Sequence, residues 1–276
     1  MISITTVTPI KIFRLPNGNL SRSIERIAIQ LKSLRAQVGV IINPIVSDMS
    51  WDDDIKASIE EICNTYGAKY VHTQSTLIWN KPLCLNIGIK MAKTRYTAAL
   101  DADVIYRNDT FKSCVKAGAT LVIARTFGLR CDFNGGFGRK NFNSKAGSGR
   151  MMKAVANGGI QFLKTKWVHK TGGYDERFNM WGRPDNEMVR RAKKYGTVGR
   201  LSNKAEIRLI HLYHPRHVTG LMSKEDEKIC NKWRDLVFSR KCCLRPNKSW
   251  GNEQNVVGPR LVDNRIVIPT SWGKSR

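Results

Sequence analysis

The pair Asp101-Ala102-Asp103 is the part of the sequence best suited to chemistry. It follows a short apolar run, Tyr96–Leu100, of the kind that forms a buried strand. Two carboxylates one residue apart, where a buried strand reaches the surface, offer hard oxygen ligands that suit Mg²⁺ or Mn²⁺. A nucleotide diphosphate can share such an ion. By itself the Asp-x-Asp pattern is also typical of a loop turn or a helix cap.

Three later segments carry polar groups of matching chemistry. They are Asn157-Gly158-Gly159, Trp181-Gly182-Arg183-Pro184-Asp185-Asn186-Glu187 and His211-Leu212-Tyr213-His214. The paired glycines allow a backbone to approach a ligand closely, although a plain turn needs them equally. Asp185 and Glu187 can serve as proton acceptors, or they can simply favour the positive end of a helix dipole. Trp181 can stack on a flat ligand or lie in the core.

The strands and helices that position these groups can be predicted from the apolar pattern of the sequence. Expected strands lie at residues 2–8, 38–42, 69–72, 96–100, 120–124 and 159–163, and expected helices at 20–36, 52–66, 83–92, 184–195 and 224–237. This order predicts an α/β fold with a mostly parallel central sheet flanked by helices. Ligands of such sheets bind beyond the carboxyl ends of the strands. Thr8, Asp48 and Asp101 should all lie at that edge.

Charge is distributed unevenly along the 276 residues. Residues 1–137 hold 17 Lys and Arg against 11 Asp and Glu, a net charge of +6, whereas residues 138–276 hold 30 against 11, a net charge of +19. An excess on one half favours a polyanionic partner or an anionic membrane over a merely solubilising surface. The composition of segment 135–149, rich in glycine and basic residues, predicts a mobile basic loop. A basic extension is expected from about residue 241.

The composition also bears on where in the cell the protein is expected. No apolar run approaches the roughly 18 residues of a membrane span, and Met1–Ile4 resembles a first strand more than a signal peptide. Seven cysteines, an odd number without a Cys-x-x-Cys pair, favour reduced thiols and a cytoplasmic location, that of the host cell if the protein is viral. We expect one domain over residues 1–240, with a nucleotide-binding half at 1–130 and an acceptor half at 150–240.

Several motifs together resemble the GT-A superfamily of nucleotide-sugar glycosyltransferases, whose fold is Rossmann-like. The first half is similar to the inverting family-two enzymes in Thr8-Pro9, Arg14, Asn86-Ile87-Gly88 and Asp101-Ala102-Asp103. The second half is similar to β-1,4-galactosyltransferases and chondroitin-type polymerases in Gly158-Gly159, Gly173-Tyr174-Asp175-Glu176-Arg177-Phe178 and the Trp181–Glu187 segment. The resemblance covers about residues 2–217.

The resemblance implies a role for each motif. The donor would be a UDP-sugar, bound by Thr8, Arg14, Asp48, Asn86, Asp101, Asp103, Gly158, Gly159 and Trp181. Asp48 resembles the residue that reads the uracil ring, with the cap of a following segment as its alternative. Asp103 is the first expected metal ligand, with Asp101 contacting the ribose or the ion through water. A downstream histidine would complete the site, His214 first and His211 in reserve, and a histidine ligand favours Mn²⁺ over Mg²⁺.

The same resemblance places the general base at Asp185, with Glu187 as the alternative, and implies inversion at the anomeric carbon. Pro184 and Asn186 replace acidic residues usual in the family, which suggests a different acceptor. A hydroxymethylated pyrimidine in DNA, as in phage-type DNA glycosyltransferases, fits the +19 half. A cell-surface glycan or lipid-linked acceptor at an anionic membrane is the second hypothesis. A nucleic-acid-binding module that has lost catalysis is the third.

Overall fold

The structure is a computed structural model. It describes residues 1–15, 18–21, 23–129, 133, 135–146, 150–151, 157–178, 182–201, 207–212, 224–239, 250–256, 258–262 and 265–267.

Strands and helices alternate along the first half, as the sequence pattern predicts. The strands are β1 (Ile2–Ile10), β2 (Val40–Asp48), β3 (Lys69–His72), β4 (Tyr96–Leu100), β5 (Val104–Tyr106), β6 (Leu121–Ala124), β7 (Thr126–Gly128), β8 (Arg150–Met151), β9 (Ile160–Lys164), β10 (Val198–Leu201), β11 (Leu209–His211), β12 (Arg260–Val262) and β13 (Arg265–Val267). The helices are α1 (Glu25–Arg35), α2 (Asp53–Thr65), α3 (Lys81–Lys90), α4 (Thr110–Ala117), α5 (Arg139–Ala146), α6 (Thr165–Lys170), α7 (Pro184–Tyr195) and α8 (Lys224–Ser239).

Seven strands form the central sheet in the order β10-β6-β9-β4-β1-β2-β3. All of its pairings are parallel except the two made by β9, which runs antiparallel between β4 and β6. The mostly parallel α/β sheet flanked by helices is therefore confirmed, with one reversed strand. Because β9 is reversed, its first residue Ile160 pairs with Leu100, the last residue of β4. Residues 157–159 thus lie at the edge where β4 ends.

The carboxyl ends of the parallel strands meet at the same edge. Ile10, the last residue of β1, pairs with Asp48, the last residue of β2. Asp101 follows β4 directly, and Thr8 lies two residues inside the end of β1. The expected placement of Thr8, Asp48 and Asp101 at this edge is confirmed. We call it the catalytic edge.

The two faces of the sheet bury two separate apolar clusters, because successive strand residues point to opposite faces. In β4, Ala98 and Leu100 join one cluster and Ala99 joins the other. Helices α1, α2 and α4 contribute Leu31, Ile59 and Phe111 to the first face. Helices α3, α6 and α7 contribute Leu85, Val168 and Met188 to the second face. These two layers hold the sheet edge, and the residues that follow it, in fixed positions.

A second sheet, in the order β5-β11-β7-β8, lies beside the catalytic edge. Its strand β11 pairs antiparallel with β5, so that His211 lies opposite Val104. The backbone N–H of Leu212 donates to the carbonyl oxygen of Asp103 over 2.8 Å. This small sheet therefore brings the histidine segment to the second aspartate of the Asp-x-Asp pair.

One expectation, for the segment between the two halves, needs correction. The basic loop at 135–149 contains helix α5, in which Phe142 is fully buried and packs 5.8 Å, ring to ring, from Phe133. The phenylalanines supply the apolar anchor that the glycine-rich composition concealed. Residues 147–149 of that segment lie outside the described residues. In the carboxy-terminal extension, Arg260 forms an isolated bridge with Leu77, so this part of the extension packs on the domain.

The cysteines that the structure describes, Cys63, Cys84, Cys114 and Cys230, are all buried thiols. Within the described residues, no helix has both the length and the apolar character that crossing a bilayer requires.

Candidate active site

Two hydrogen bonds in series, from buried residues, hold Asp101 at the catalytic edge. The side-chain amide of Gln30, on α1, donates to the carbonyl oxygen of Asp101 over 2.5 Å. The amide oxygen of Gln30 accepts a hydrogen bond from the hydroxyl of Thr8 over 2.9 Å. Both Thr8 and Gln30 are buried. Thr8 therefore orients Gln30, and Gln30 in turn holds the backbone of Asp101.

Lys81 joins the two carboxylates that the motifs suggest for chemistry. Its ammonium nitrogen lies 2.6 Å from one Asp101 oxygen and 3.0 and 3.2 Å from the two Asp185 oxygens. Burial alone would lower the pKa of Lys81, but the carboxylates of Asp101 and Asp185 raise it above its usual range. The three side chains thus form one charged cluster with a net charge of −1 when all are ionised.

Gly158 lies directly against the carboxylates of Asp101 and Asp185. A Cβ atom at this position would lie 2.7 Å from a carboxylate oxygen of Asp185 and 2.9 Å from one of Asp101. Neither distance leaves room for a side chain, so the two carboxylates can approach only because the residue is glycine. The adjacent Gly159 is tied in place through its carbonyl oxygen, which accepts from the Tyr106 hydroxyl over 2.8 Å.

Asp185 lies in the first turn of α7, where a carboxylate favours the helix dipole. Its carbonyl oxygen accepts from the Gln161 amide over 2.8 Å, and Gln161 in turn accepts from the Tyr174 hydroxyl over 2.5 Å. Burial raises the pKa of Asp185, Lys81 opposes that rise, and Asp101 adds to it. A carboxyl with a raised pKa is suited to general-base catalysis near neutral pH.

Asp103 and His211 form the described part of the expected metal site. The His211 Nε2 atom lies 3.5 Å from a carboxylate oxygen of Asp103. Carboxylate oxygen and imidazole nitrogen are a donor set that suits Mn²⁺, so these residues fit the ion. Among the described residues, no group of three or more His, Cys, Asp or Glu side chains is already gathered for a metal. His214, the first-choice histidine ligand, lies outside the described residues.

Asp48 forms a turn at the catalytic edge. One of its carboxylate oxygens accepts from the backbone N–H and the hydroxyl of Ser50, at 2.8 and 2.6 Å, and the other accepts from the Tyr70 hydroxyl at 2.8 Å. The side chain is fully buried. These contacts favour the alternative, a residue that caps the following segment, and a contact between Asp48 and a uracil ring stays a prediction from the resemblance.

Arg14 and Asn86 are engaged elsewhere. Arg14 forms an exposed ion pair with Asp54 at the start of α2. The buried Asn86 accepts from the Tyr174 backbone N–H over 2.7 Å and donates to the carboxylate of Glu176 over 2.7 Å. Asn86 therefore fastens α3 to the segment that precedes α7. A direct donor contact for either residue stays a prediction from the resemblance.

The expectation that Glu187 is an alternative general base must be corrected. Its carboxylate forms a buried ion pair with Arg191 at 2.5 Å, one helical turn further along α7. Arg191 also donates to the carbonyl oxygens of Thr171 and Gly173. Because Glu187 is only 2% exposed and faces the core, it stabilises the fold and cannot take a proton from an acceptor. Trp181 lies outside the described residues.

Sequence reasoning missed Lys81, Gln30 and Gln161. Lys81 carried one usable signal. It occupies the first position of α3, after the cap residue Asn80 and before Pro82, and a cation there opposes the helix dipole. A lysine that violates this preference is a candidate for a charged partner outside the helix. The two glutamines carry no comparable signal, because buried amides cannot be told from exposed ones in sequence.

Comparisons with known proteins place this geometry in a class. Drosophila β1,4-galactosyltransferase 7, as a mutant in complex with manganese, UDP-Gal and xylobiose, is 13% identical, with 99% of this chain and 97% of that chain covered and a TM-score of 0.54. The mannosyltransferase PcManGT from Pyrobaculum calidifontis, in complex with GDP-Man and Mn²⁺, is 13% identical, with 91% and 68% covered and a TM-score of 0.54. The fold is the GT-A fold.

Two further findings refine the class. A fragment of S. aureus TarS in complex with UDP is 15% identical, with a TM-score of 0.52; 78% of this chain is covered, and the match spans 61% of the TarS fragment. Residues 148–217, which contain Gly158, Asp185 and His211, match the family model described as the N-terminal domain of galactosyltransferase. The chain thus has the GT-A fold, and residues 148–217 are similar to the galactosyltransferase N-terminal domain. No curated protein sequence matches it.

Proposed function

We propose that the protein transfers a sugar from a UDP-sugar to an acceptor hydroxyl, with inversion at the anomeric carbon and with Mn²⁺ as its ion. The convergence of Asp101 and Asp185 on Gly158 carries this proposal, because it sets a metal-side carboxylate next to a carboxylate suited to proton transfer. Three neighbours of the same fold support the donor class, since they were crystallised with UDP, UDP-Gal or GDP-Man.

Asp185 is the proposed general base. The acceptor oxygen forms a bond to the anomeric carbon from the face opposite the diphosphate, while the bond from that carbon to the diphosphate oxygen breaks. The acceptor proton passes to the carboxylate of Asp185. Attack from the opposite face accounts for inversion. The raised pKa of Asp185 increases its proton affinity, and its contact with Lys81 keeps the carboxylate oriented.

Asp103, Asp101 and one histidine, either His211 or His214, would hold the divalent ion. When bound, that ion supplies positive charge against the departing diphosphate. Lys81 lies between the two carboxylates, 2.6 Å from Asp101 and 3.0 Å from Asp185, and holds them in place.

DNA is the first proposed acceptor, as a hydroxymethylated pyrimidine. The net charge of +19 on residues 138–276 supports it, and the reaction would then take place in the cytoplasm. A glycan is the second candidate, because the Drosophila enzyme of the same fold was crystallised with xylobiose.

The test is transfer of labelled sugar from UDP-sugars, with Mn²⁺, to hydroxymethylcytosine DNA, to unmodified DNA and to oligosaccharides. We expect Asp103→Ala and Asp185→Asn to abolish transfer, and Asp235→Asn, an exposed carboxylate on α8, to leave it unchanged. Transfer to oligosaccharide alone would reject the DNA acceptor. Full turnover by Asp185→Asn would reject the assignment of Asp185 as the general base. DNA binding without any UDP-sugar hydrolysis would favour the module without catalysis.

A further inference from the structure

A basic surface lies at the sheet edge opposite the catalytic edge, around the short helix α6. It comprises Lys90, Lys93, Arg95, Lys164, Lys166, Lys170, Lys193 and Lys194. All of these except Lys164 are exposed, and Lys164 is partly exposed. Three separate parts of the chain contribute to it: the end of α3 with the turn before β4, the end of β9 with α6, and the end of α7.

Contacts around α6 show that these parts are contiguous. The backbone N–H of Thr165 donates to the carbonyl oxygen of Arg95 over 3.1 Å. The indole N–H of Trp167 donates to the carbonyl oxygen of Tyr195, at the end of α7, over 3.0 Å. His169 hydrogen-bonds the carbonyl oxygen of Ile89, at the end of α3, over 3.1 Å. The basic side chains therefore surround one helix.

No acidic side chain interrupts this surface from within its own segments. Residues 88–100, 160–172 and 188–201 contain no Asp or Glu. The acidic residues of adjoining segments are turned inward, since Glu187 pairs with Arg191 and Glu176 accepts from Asn86. Glu176 offsets part of the Lys90 charge, and the remaining positive charges add, which makes a surface of high positive potential.

We propose that the basic surface docks the protein on a bilayer rich in anionic phospholipids. Seven of its eight cations are lysines, which act as hydrated point charges suited to diffuse attraction, whereas arginine is the residue favoured for bidentate phosphate recognition in nucleic acids. Two partly exposed indoles border it: Trp167 on α6, and Trp250, whose ring centroid lies 5.1 Å from the Lys90 ammonium. Tryptophan is favoured at the headgroup level of membranes.

The position of the surface supports this occupant. The five residues of β4 separate the two sheet edges by about 15 Å. Docking through the α6 edge leaves the catalytic edge facing away from the bilayer and open to nucleotide sugar and acceptor. Nucleic acid bound at the α6 edge would instead hold its bases away from Asp185. The docking proposal goes beyond the proposed transfer reaction and does not depend on which acceptor is used.

The test compares binding of the full chain to vesicles of mixed phosphatidylcholine and phosphatidylglycerol with binding to phosphatidylcholine alone, by co-sedimentation at low and high salt. The variant Lys93→Ala, Lys166→Ala, Lys170→Ala removes three charges from the surface. The control Lys32→Ala, Lys69→Ala, Lys112→Ala removes three exposed charges on α1, β3 and α4. Transfer to a soluble acceptor is measured for all three proteins.

We expect binding only to the mixed vesicles, weakened by salt, and reduced on the order of a hundredfold in the α6-edge variant, at roughly fivefold per lysine. The control should bind within a few-fold of the unaltered chain, and transfer to the soluble acceptor should be unchanged in both variants. Equal binding by the α6-edge variant, equal loss in the control, or no binding to mixed vesicles would overturn the proposal. Tighter binding to duplex DNA, lost in the same variant, would overturn it in favour of a nucleic-acid surface. Loss of transfer with docking intact would instead count against the proposed function.

Discussion

Lys81 is the residue whose removal tests the charged cluster most directly. The substitution Lys81→Met keeps an unbranched side chain that is one atom shorter and removes its charge. It leaves the carboxylates of Asp101 and Asp185 next to each other over Gly158 without a cation between them. Their side chains are 30% and 20% exposed, so they are only partly solvated by water.

The energetic cost follows from that burial. Removing one partner of a fully buried ion pair costs about 3–5 kcal/mol, and the partial exposure of both carboxylates places this case near the lower limit, at about 3 kcal/mol. In a domain of this size such a loss lowers the melting temperature by about 8 °C. The control Lys32→Met, on an exposed position of α1, should change the melting temperature by less than about 2 °C.

The substitution also predicts a direction for the pH dependence. Lys81 lowers the pKa of Asp185 against the effects of burial and of Asp101, so removing Lys81 must raise that pKa further. The basic form of Asp185 is lost as pH falls through its folded-state pKa, and the acid limb of the turnover profile should therefore move to higher pH. Because the folded-state pKa then exceeds the unfolded one, the folded state binds more protons between the two values, and stability falls as pH rises across that window.

The assay is the pH profile of kcat for sugar transfer, measured beside thermal unfolding across the same pH range. A Lys81→Met protein with the acid limb of the unaltered chain, or with an unaltered melting temperature, would refute the reasoning. A lower rate at every pH without a shift of the limb would mean that Lys81 acts on the donor and not through Asp185.

Three further substitutions test other parts of the structure. Gly158→Ala should reduce transfer about 100-fold, because it displaces both carboxylates, whereas Gly138→Ala, with no atom within 4 Å of the added carbon, should leave transfer unchanged. Arg191→Met should cost about 3–5 kcal/mol in urea unfolding, because Glu187 stays buried without its partner; a loss below about 1 kcal/mol would contradict the buried pair. Burial lowers the pKa of Lys11 to about 7, so the unfolded chain binds one more proton from about pH 7 to 10, and stability should rise across that interval in the unaltered chain but not in Lys11→Met.

The sequence predicts those parts of the fold that depend on local patterns. Apolar runs and caps placed β3, β4 and α7 at their observed bounds and β1, β6, β9, α1, α2, α3 and α8 within about five residues. The short strands β5, β7, β8 and β10–β13 and the helices α4, α5 and α6 had no expected counterpart. Thr8, Asp48 and Asp101, at the carboxyl ends of β1, β2 and β4, could be placed at one edge because parallel strands share their carboxyl ends. The direction of β9 could not be predicted, because it depends on pairing with β4 and β6, which are distant in sequence.

The candidate site was only partly predictable for a similar reason. Asp101 and Asp185 belong to recognisable motifs, but their meeting point depends on Lys81 and Gly158, which come from two other segments. Asp48 and Glu187 carry the residue type expected of a functional carboxylate. Only the structure shows that Ser50 and Tyr70 bind one and that Arg191 binds the other.

The reversed strand β9 also determines when the protein can assemble during synthesis. It comes from the second half of the chain yet inserts between β4 and β6 of the first half. Until the ribosome has released residue 164, both neighbouring strands present unpaired backbone edges that other chains can join. A fragment ending before β9 would therefore be prone to aggregation, and the two halves should not be separable into independently folding pieces.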